Sequence, residues 1–358
     1  MNKFSLSFIF AAGIVAPMLI PILAPTSVNA QSTASQTEVS SGQYFGAKVT
    51  THPDWFKDSF LEFEEDIAEA AEAGKRLVIY FHQDGCPYCN KLVEDNFNNP
   101  DILEKMQSGF DLVAINLWGD REVIQIGGKT FTEKTLAQAL DVDFTPTLIF
   151  FNEHKEVALR LNGYYPIVDF DHALNYVSGK MEKQTSFPQY VANHKKDKQT
   201  GELNRQDWML TAPYDLANLA ESKPLAVLFE EPDCQNCDLL HTRTFTSADA
   251  KDLLASFQII QLNRWSNTPV IKPDGEPTTA TAWAKELGLG FSPAIVFFDK
   301  SGNKLIVVDS MLKTFHILGI FDYISSGKYH TEPDLQRFLS ERAEHIINTG
   351  KDVDIWEY

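Results

Sequence analysis

The chain repeats itself once, with a period of about 147 residues, and this limits what it can fold into more than any other feature. The apolar run Leu77 to Phe81 precedes Cys86-Pro87-Tyr88-Cys89, and Leu225 to Phe229 precedes Cys234-Gln235-Asn236-Cys237. The correspondence continues downstream. Ile115 to Trp118 is answered by Gln261 to Trp265, Thr145-Pro146 and the apolar run to Phe151 by Ser292-Pro293 and the run to Phe298, and Tyr176 to Gly179 by Tyr323 to Gly327. Solenoid repeats are shorter than this, so the period marks two copies of a whole domain.

Length agrees, since 358 residues make about two domains that can each bury a core. Hydrophobic residues at 44% and charged residues at 22% exclude a disordered chain. Asp and Glu number 49 against 31 Lys and Arg, for a net charge of −18. A surface this acidic repels phosphate backbones, so no nucleic-acid partner is expected. The four cysteines are too few for a disulfide framework and fall into two C-x-x-C pairs, which points to chemistry instead.

Lys3, the apolar stretch Phe4 to Leu23 and the small-x-small ending Val28-Asn29-Ala30 predict a secretory signal over residues 1–30. Pro17, Pro21 and Pro25 interrupt the stretch and favour cleavage over anchoring. The mature chain is then expected in the periplasm, with no stable membrane insertion. The remaining divisions are a Ser/Thr/Gln-rich flexible leader (31–50), a first domain (51–192), a polar linker (193–204), a second domain (205–345) and a C-terminal tail (346–358).

Phe60, Phe63, Ile67 and Ala71 predict a helix before the first Cys-bearing strand, and Leu216, Leu219 and Ala220 predict a shorter equivalent in the second copy. Each unit then reads helix, strand, C-x-x-C helix, strand, helix, strand, strand, helix. The expected fold class is therefore α/β, with two tandem domains each built on a central mixed sheet flanked by helices. Between strand and helix, the first cysteine of each pair stands at a helix start, where unpaired N–H groups favour the thiolate. The second cysteine lies one turn inside. Dithiol exchange suits this spacing, with Cys86 attacking a disulfide and Cys89 closing on the mixed disulfide. Pro146 and Pro293 stand directly before a strand, where a cis peptide would turn the chain and leave a free backbone edge beside the sulfur.

Strand, C-x-x-C, helix and a later Thr-Pro together resemble the thioredoxin superfamily. More narrowly, Phe81 to Cys89, with Trp118, Phe144 to Thr147 and Gly163-Tyr164, resembles the SoxW-type thioredoxin-related proteins of sulfur-oxidising bacteria. The likeness is strong from Trp55 to Tyr190 and weaker from Asp207 to Phe338. It implies two thioredoxin-like domains and a periplasmic thiol–disulfide oxidoreductase, with Cys86 as nucleophile, Cys89 as resolving thiol and Pro146 as cis-proline. Cys234, Cys237 and Pro293 take the same roles in the second copy. The implied partners are protein or small-molecule disulfides and a membrane electron donor. No organic cofactor is expected, because the cysteines carry the electrons.

The chain departs from that pattern in places. Thioredoxins resemble one another in a buried acid six residues before the first cysteine, where this chain has Tyr80 and Leu228, and their Trp before that cysteine is replaced by Gly85 and Asp233. Glu230, Glu231 and Asp233 are expected to crowd the second site with negative charge and slow Cys234. Two other readings stand beside a simple reductase. One is a disulfide isomerase or oxidase with a relay between domains, and the other is a binding module in which Cys234, Cys237 and His241 hold a soft metal such as Cu(I) or Zn(II). His82 is equally a helper of the Cys86 thiolate and an ordinary strand-end residue. Trp118 and Trp265 are expected in the core.

Overall fold

The computed structural model describes residues 41–195, 201–219 and 223–357. The expected signal sequence, the first half of the leader and the middle of the linker lie outside the described residues. Among the described residues, no helix is long and apolar enough to cross a membrane.

The leader ends in a short strand, β1 (Tyr44–Phe45). The first copy then runs α1 (Phe63–Glu72), β2 (Arg76–His82), α2 (Pro87–Lys91), α3 (Pro100–Gly109), β3 (Phe110–Asn116), the hairpin β4 (Glu122–Ile124) and β5 (Thr130–Thr132), α4 (Glu133–Ala139), β6 (Thr147–Phe151), β7 (Val157–Asn162), α5 (Ile167–Ser178) and α6 (Phe187–His194). Its sheet has the order β3-β2-β6-β7. β2 is parallel to β3 and antiparallel to β6, and β7 returns antiparallel to β6.

Alternation along β2 divides the core in two. Leu77, Ile79 and Phe81 pack with Phe63, Ile67 and Leu136 on one face, while Val78 and Tyr80 pack with Leu92, Phe97 and Phe170 on the other. Burial on both faces accounts for the unbroken apolar run. The buried stripe of α1 is Phe63, Asp66, Ile67 and Ala70, a helical i, i+3, i+4, i+7 set. Phe60, expected on that stripe, precedes the helix and is 94% exposed, because Leu61 takes a left-handed conformation (φ 66°) and breaks the period; Ala71 faces solvent.

The second copy runs β8 (Tyr214–Asp215), β9 (Leu225–Glu230), α7 (Gln235–Leu239), α8 (Ala250–Ala255), β10 (Gln258–Asn263), the hairpin β11 (Pro269–Ile271) and β12 (Pro277–Thr279), α9 (Ala280–Glu286), β13 (Ala294–Phe298), β14 (Lys304–Val308), α10 (Thr314–Ser325) and α11 (Leu335–Asn348). Its sheet order, β10-β9-β13-β14, repeats that of the first. The helix expected around Leu216 and Leu219 is not there among the described residues. Instead β8 pairs in parallel with β11, and Leu216 is buried beneath it. A three-residue apolar spacing ended by Pro224 is too short to nucleate a helix when a sheet edge is at hand.

Beyond α11, β15 (Val353–Asp354) pairs in parallel with β1, and Val353 and Ile355 are buried in the second copy's core. Tyr44–Phe45 of the leader and Val353–Asp354 of the tail therefore form a two-stranded sheet against the second copy.

The copies dock through the segments around Pro146 and Pro293. Phe144 joins the core of the second copy, and Phe291 joins that of the first. Tyr165 donates to Asp309 at 2.9 Å, and the Met311 N–H donates to the Tyr164 carbonyl at 3.0 Å. Gly163, at φ +100°, is needed at this crossing, since a Cβ there would lie 2.2 Å from Ser310 Oγ.

Candidate active site

In both copies a buried central strand delivers its cysteine pair to a helix start. Gly85 (φ 72°) turns the chain out of β2 in the left-handed conformation, and Asp233 (φ 54°) does so after β9. Asp is among the few side chains that tolerate this region, while Trp is strained there, which accounts for the departure from the usual tryptophan. Cys86 caps α2 with extended backbone, Pro87 fills the first helical position, and the Cys89 N–H donates to Cys86 Sγ at 3.0 Å. In the second copy the Cys237 N–H donates to Cys234 Sγ at 3.1 Å. Both pairs are disulfides, Cys86–Cys89 and Cys234–Cys237. These N–H groups, unpaired within the helix, are the donors that hold a thiolate when the bond is reduced.

The Thr145–Pro146 and Ser292–Pro293 peptides are cis. In the first copy Cys86 Sγ lies 3.5 Å from the Thr145 carbonyl oxygen, so the loop of Pro146 borders that sulfur. Gln83 fixes that loop, donating to Thr145 Oγ1 at 3.1 Å and accepting from the Trp118 indole at 2.8 Å. Trp118 is thus 39% exposed beside the motif, not in the core as expected, because its indole N–H has a partner only there. Trp265, half-buried, donates likewise to Glu231 at 3.0 Å. Gln83 and Glu231 each stand three residues before their cysteine, a pairing that the sequence offers only once the two copies are superposed. Sequence reasoning named Glu231 only as a charge near Cys234, gave Gln83 no role, and missed both indole bonds.

The surroundings of the two motifs differ. Tyr80, in the position of the expected acid, is fully buried, its hydroxyl has no hydrogen-bond partner among the described residues, and burial drives its pKa far above the ordinary phenol value. His82 stacks edge-on against His52 with ring centroids 4.3 Å apart. Burial, and then the neighbouring His52, lower its pKa to about 4, so it is neutral at pH 7 and offers Cys86 no cation. In the second copy the same strand position is Glu230, fully buried, which accepts from Gln261 at 2.7 Å and lies 3.0 Å from His241 Nε2. Glu231 is bound by Lys195 at 3.3 Å as well as by Trp265. Of the three acids Asp233 alone faces solvent, while Glu230 and Glu231 are buried and each has hydrogen-bonding partners.

His241 therefore belongs to the Glu230 cluster. Cys234 and Cys237 are joined to each other, and no group of three metal-ligating side chains is present among the described residues.

Access divides the sites most sharply. Cys86 is 2% exposed, Pro87 is buried, and Tyr88 is 3% exposed under the second domain: its hydroxyl accepts the Lys313 N–H at 2.9 Å and lies 3.3 Å from His316 Nδ1, and its ring meets Trp356 edge-on. Cys234 is half-buried, with Gln235 beside it exposed. Thr145 and Pro146 are buried too, and Gln336 of α11 closes over them, donating to the Asp143 carbonyl at 2.8 Å and accepting from Gln83 at 2.8 Å.

Comparison with known proteins agrees with this architecture. The thioredoxin-like domain model matches residues 63–178 and again 217–324. No curated protein matches the sequence. Among solved structures the chain is similar to a thioredoxin-fold protein from Helicobacter pylori (20% identity, 35% of this chain and 81% of that one, TM-score 0.31). It is similar also to a thioredoxin from Thermus thermophilus (21% identity, 38% and 87%, TM-score 0.26). A third is a disulphide isomerase from Xylella fastidiosa Temecula1 (14% identity, 37% and 98%, TM-score 0.25). Two matched segments, each holding a sheet, a C-x-x-C helix start and a cis-proline loop, place this chain in the thioredoxin-like domain family, which it carries twice.

Proposed function

We propose that this protein is an exported thiol–disulfide oxidoreductase that works through Cys86–Cys89, with Cys234–Cys237 as a second exchange pair. The observation that carries this reading is the Cys89 N–H donated at 3.0 Å to Cys86 Sγ, with the Thr145 carbonyl 3.5 Å away across the loop of Pro146. A thiolate at Cys86 is held by that donor and attacks one sulfur of a partner disulfide. The partner's S–S bond breaks, and its leaving thiolate takes up a proton. Cys89 then attacks the Cys86 sulfur, closes the Cys86–Cys89 bond and releases the partner's second thiolate, so two electrons have passed. Pro146 shapes the loop against the sulfur, and the cis Pro293 is assigned the same role for Cys234. The signal-like residues 1–30 and the SoxW-type likeness of the first copy support a periplasmic location, where a membrane donor would resupply electrons to a reductase.

A redox titration in graded thiol–disulfide buffers, with alkylation and peptide mass analysis of each pair, tests the reading. A Cys86–Cys89 potential near about −270 mV marks a reductase, and one near about −120 mV an oxidant of exported thiols. If neither pair titrates as a dithiol, the oxidoreductase reading is wrong.

A further inference from the structure

Cys86 lines a cleft between the two domains, with Tyr44 and Ala47 of the leader at its edge. It measures about 330 Å³, with Cys86 and Pro87 on one wall and Phe315, Leu339, Ala343 and Ile347 of α10 and α11 on the other. The face across which a folded partner would otherwise reach a C-x-x-C pair is spent on the other domain, because Tyr88, Thr145, Pro146 and Gly163 are all buried. The volume is at the lower end of the ~300–1,000 Å³ typical of small-molecule sites. Those four apolar residues make up half of the far wall, and His316, Gln336, Ser340 and Glu344 the other half. The cavity's charged lining residues are Asp84 and Glu344, both exposed at the rim, and no Lys or Arg among the described residues lines it.

Resting on the exchange chemistry proposed above, we infer that this cavity is the substrate site of Cys86 and that its substrate is a low-molecular-weight thiol or disulfide, neutral or cationic, with an apolar body. Size follows from the volume, the apolar body from the α11 wall, and the charge from Asp84 and Glu344. Cys234, half-exposed and outside this cavity, is left to meet larger partners.

The test uses full-length protein carrying Cys89→Ser, so that the reduced Cys86 thiolate attacks a probe disulfide RSSR, one RS⁻ leaves and takes a proton, and the Cys86–S–S–R adduct persists for mass analysis. The probes are cystamine, 2-hydroxyethyl disulfide, 3,3′-dithiodipropionate and a folded protein bearing a surface mixed disulfide, each rate divided by that of N-acetylcysteine with the same probe. Cystamine should exceed dithiodipropionate by about tenfold or more at low salt, and Glu344→Gln should shrink that ratio. The protein-borne disulfide should be about 100-fold slower than the small neutral one, a gap of about 2.7 kcal/mol in activation free energy. Ser340→Trp is a cavity-filling change at an exposed residue, so the fold is kept; it should slow the small probes at Cys86 while leaving Cys234 unchanged. Equal normalised rates for small and protein-borne probes, or no effect of Ser340→Trp, would overturn the cavity assignment and leave the oxidoreductase reading standing. No adduct with any probe would overturn both.

Discussion

Phe144 and Phe291 occupy the same position in the two copies, two residues before the cis-proline, and each is buried in the core of the other copy. This exchange turns the two domains into one packed body at the loops that border the cysteines. Phe291→Ala should therefore cost about 3–5 kcal/mol in urea unfolding. It should also raise the reactivity of reduced Cys86 toward a bulky maleimide. Lost stability with unchanged Cys86 reactivity would show that docking does not control the site.

Tyr88 connects the same interface to the first motif. Tyr88→Phe keeps the ring against Trp356 but removes the acceptor for the Lys313 N–H and the hydroxyl beside His316. The expected loss is about 1 kcal/mol, and the adduct rate at Cys86 with bulky reagents should rise while that with small ones stays within about twofold. A variant as closed to bulky reagents as the parent would mean that the remaining interface suffices.

Fully reduced protein offers a comparison of the two cysteines. Charge alone led to the expectation that Cys234 is the slower nucleophile, but Glu230 and Glu231 are engaged by His241, Gln261, Lys195 and Trp265, and Cys86 is the more deeply covered. A bulky maleimide should modify Cys234 first, whereas small iodoacetamide should narrow the difference. Faster bulky labelling of Cys86 would refute the closed arrangement.

Each copy's fold was legible in the sequence because its signals are local: an apolar strand, a C-x-x-C, a later Pro before a second apolar strand. The reach of the site was not. Across the cleft from Cys86 stands α11, some 250 residues away in sequence, and nothing local to Leu335–Asn348 says what its apolar face packs against. The left-handed turn at Gly85 and Asp233 and the Trp118–Gln83 bond become visible only in three dimensions. Glu230 and His241 illustrate the same limit, since eleven residues separate them and only the return of the chain from strand to helix brings them together.

That buried pair carries its own expectation. His241→Leu leaves the Glu230 carboxyl with Gln261 alone, in a fully buried place, and should cost about 1–3 kcal/mol. Adding Glu230→Met should restore part of the loss, because both polar partners are then gone. If the double variant is no more stable than His241→Leu, the cost lies in packing and not in the stranded carboxyl.

The last expectation concerns acid. Burial, and then Arg342, lower the His316 pKa to about 3, against about 6.5 in the unfolded chain. Below about pH 6.5 the unfolded chain takes up a proton here that the folded protein refuses, so this group's contribution to stability is full above that pH and declines as pH falls toward about 3, by up to about 1.4 kcal/mol per pH unit. His82, lowered to about 4, acts in the same direction. Asp309 acts in the other: burial raises it to about 6, so the folded protein gains its proton first and this group offsets part of the loss between about pH 6 and 4. His316→Gln isolates one contribution. The parent's urea midpoint should fall more steeply than the variant's between pH 6.5 and 4, so the stability difference between them narrows or reverses in acid. Parallel curves would mean that His316 takes up its proton in the folded protein at an ordinary pH, and that the interface around Tyr88 accommodates the charge.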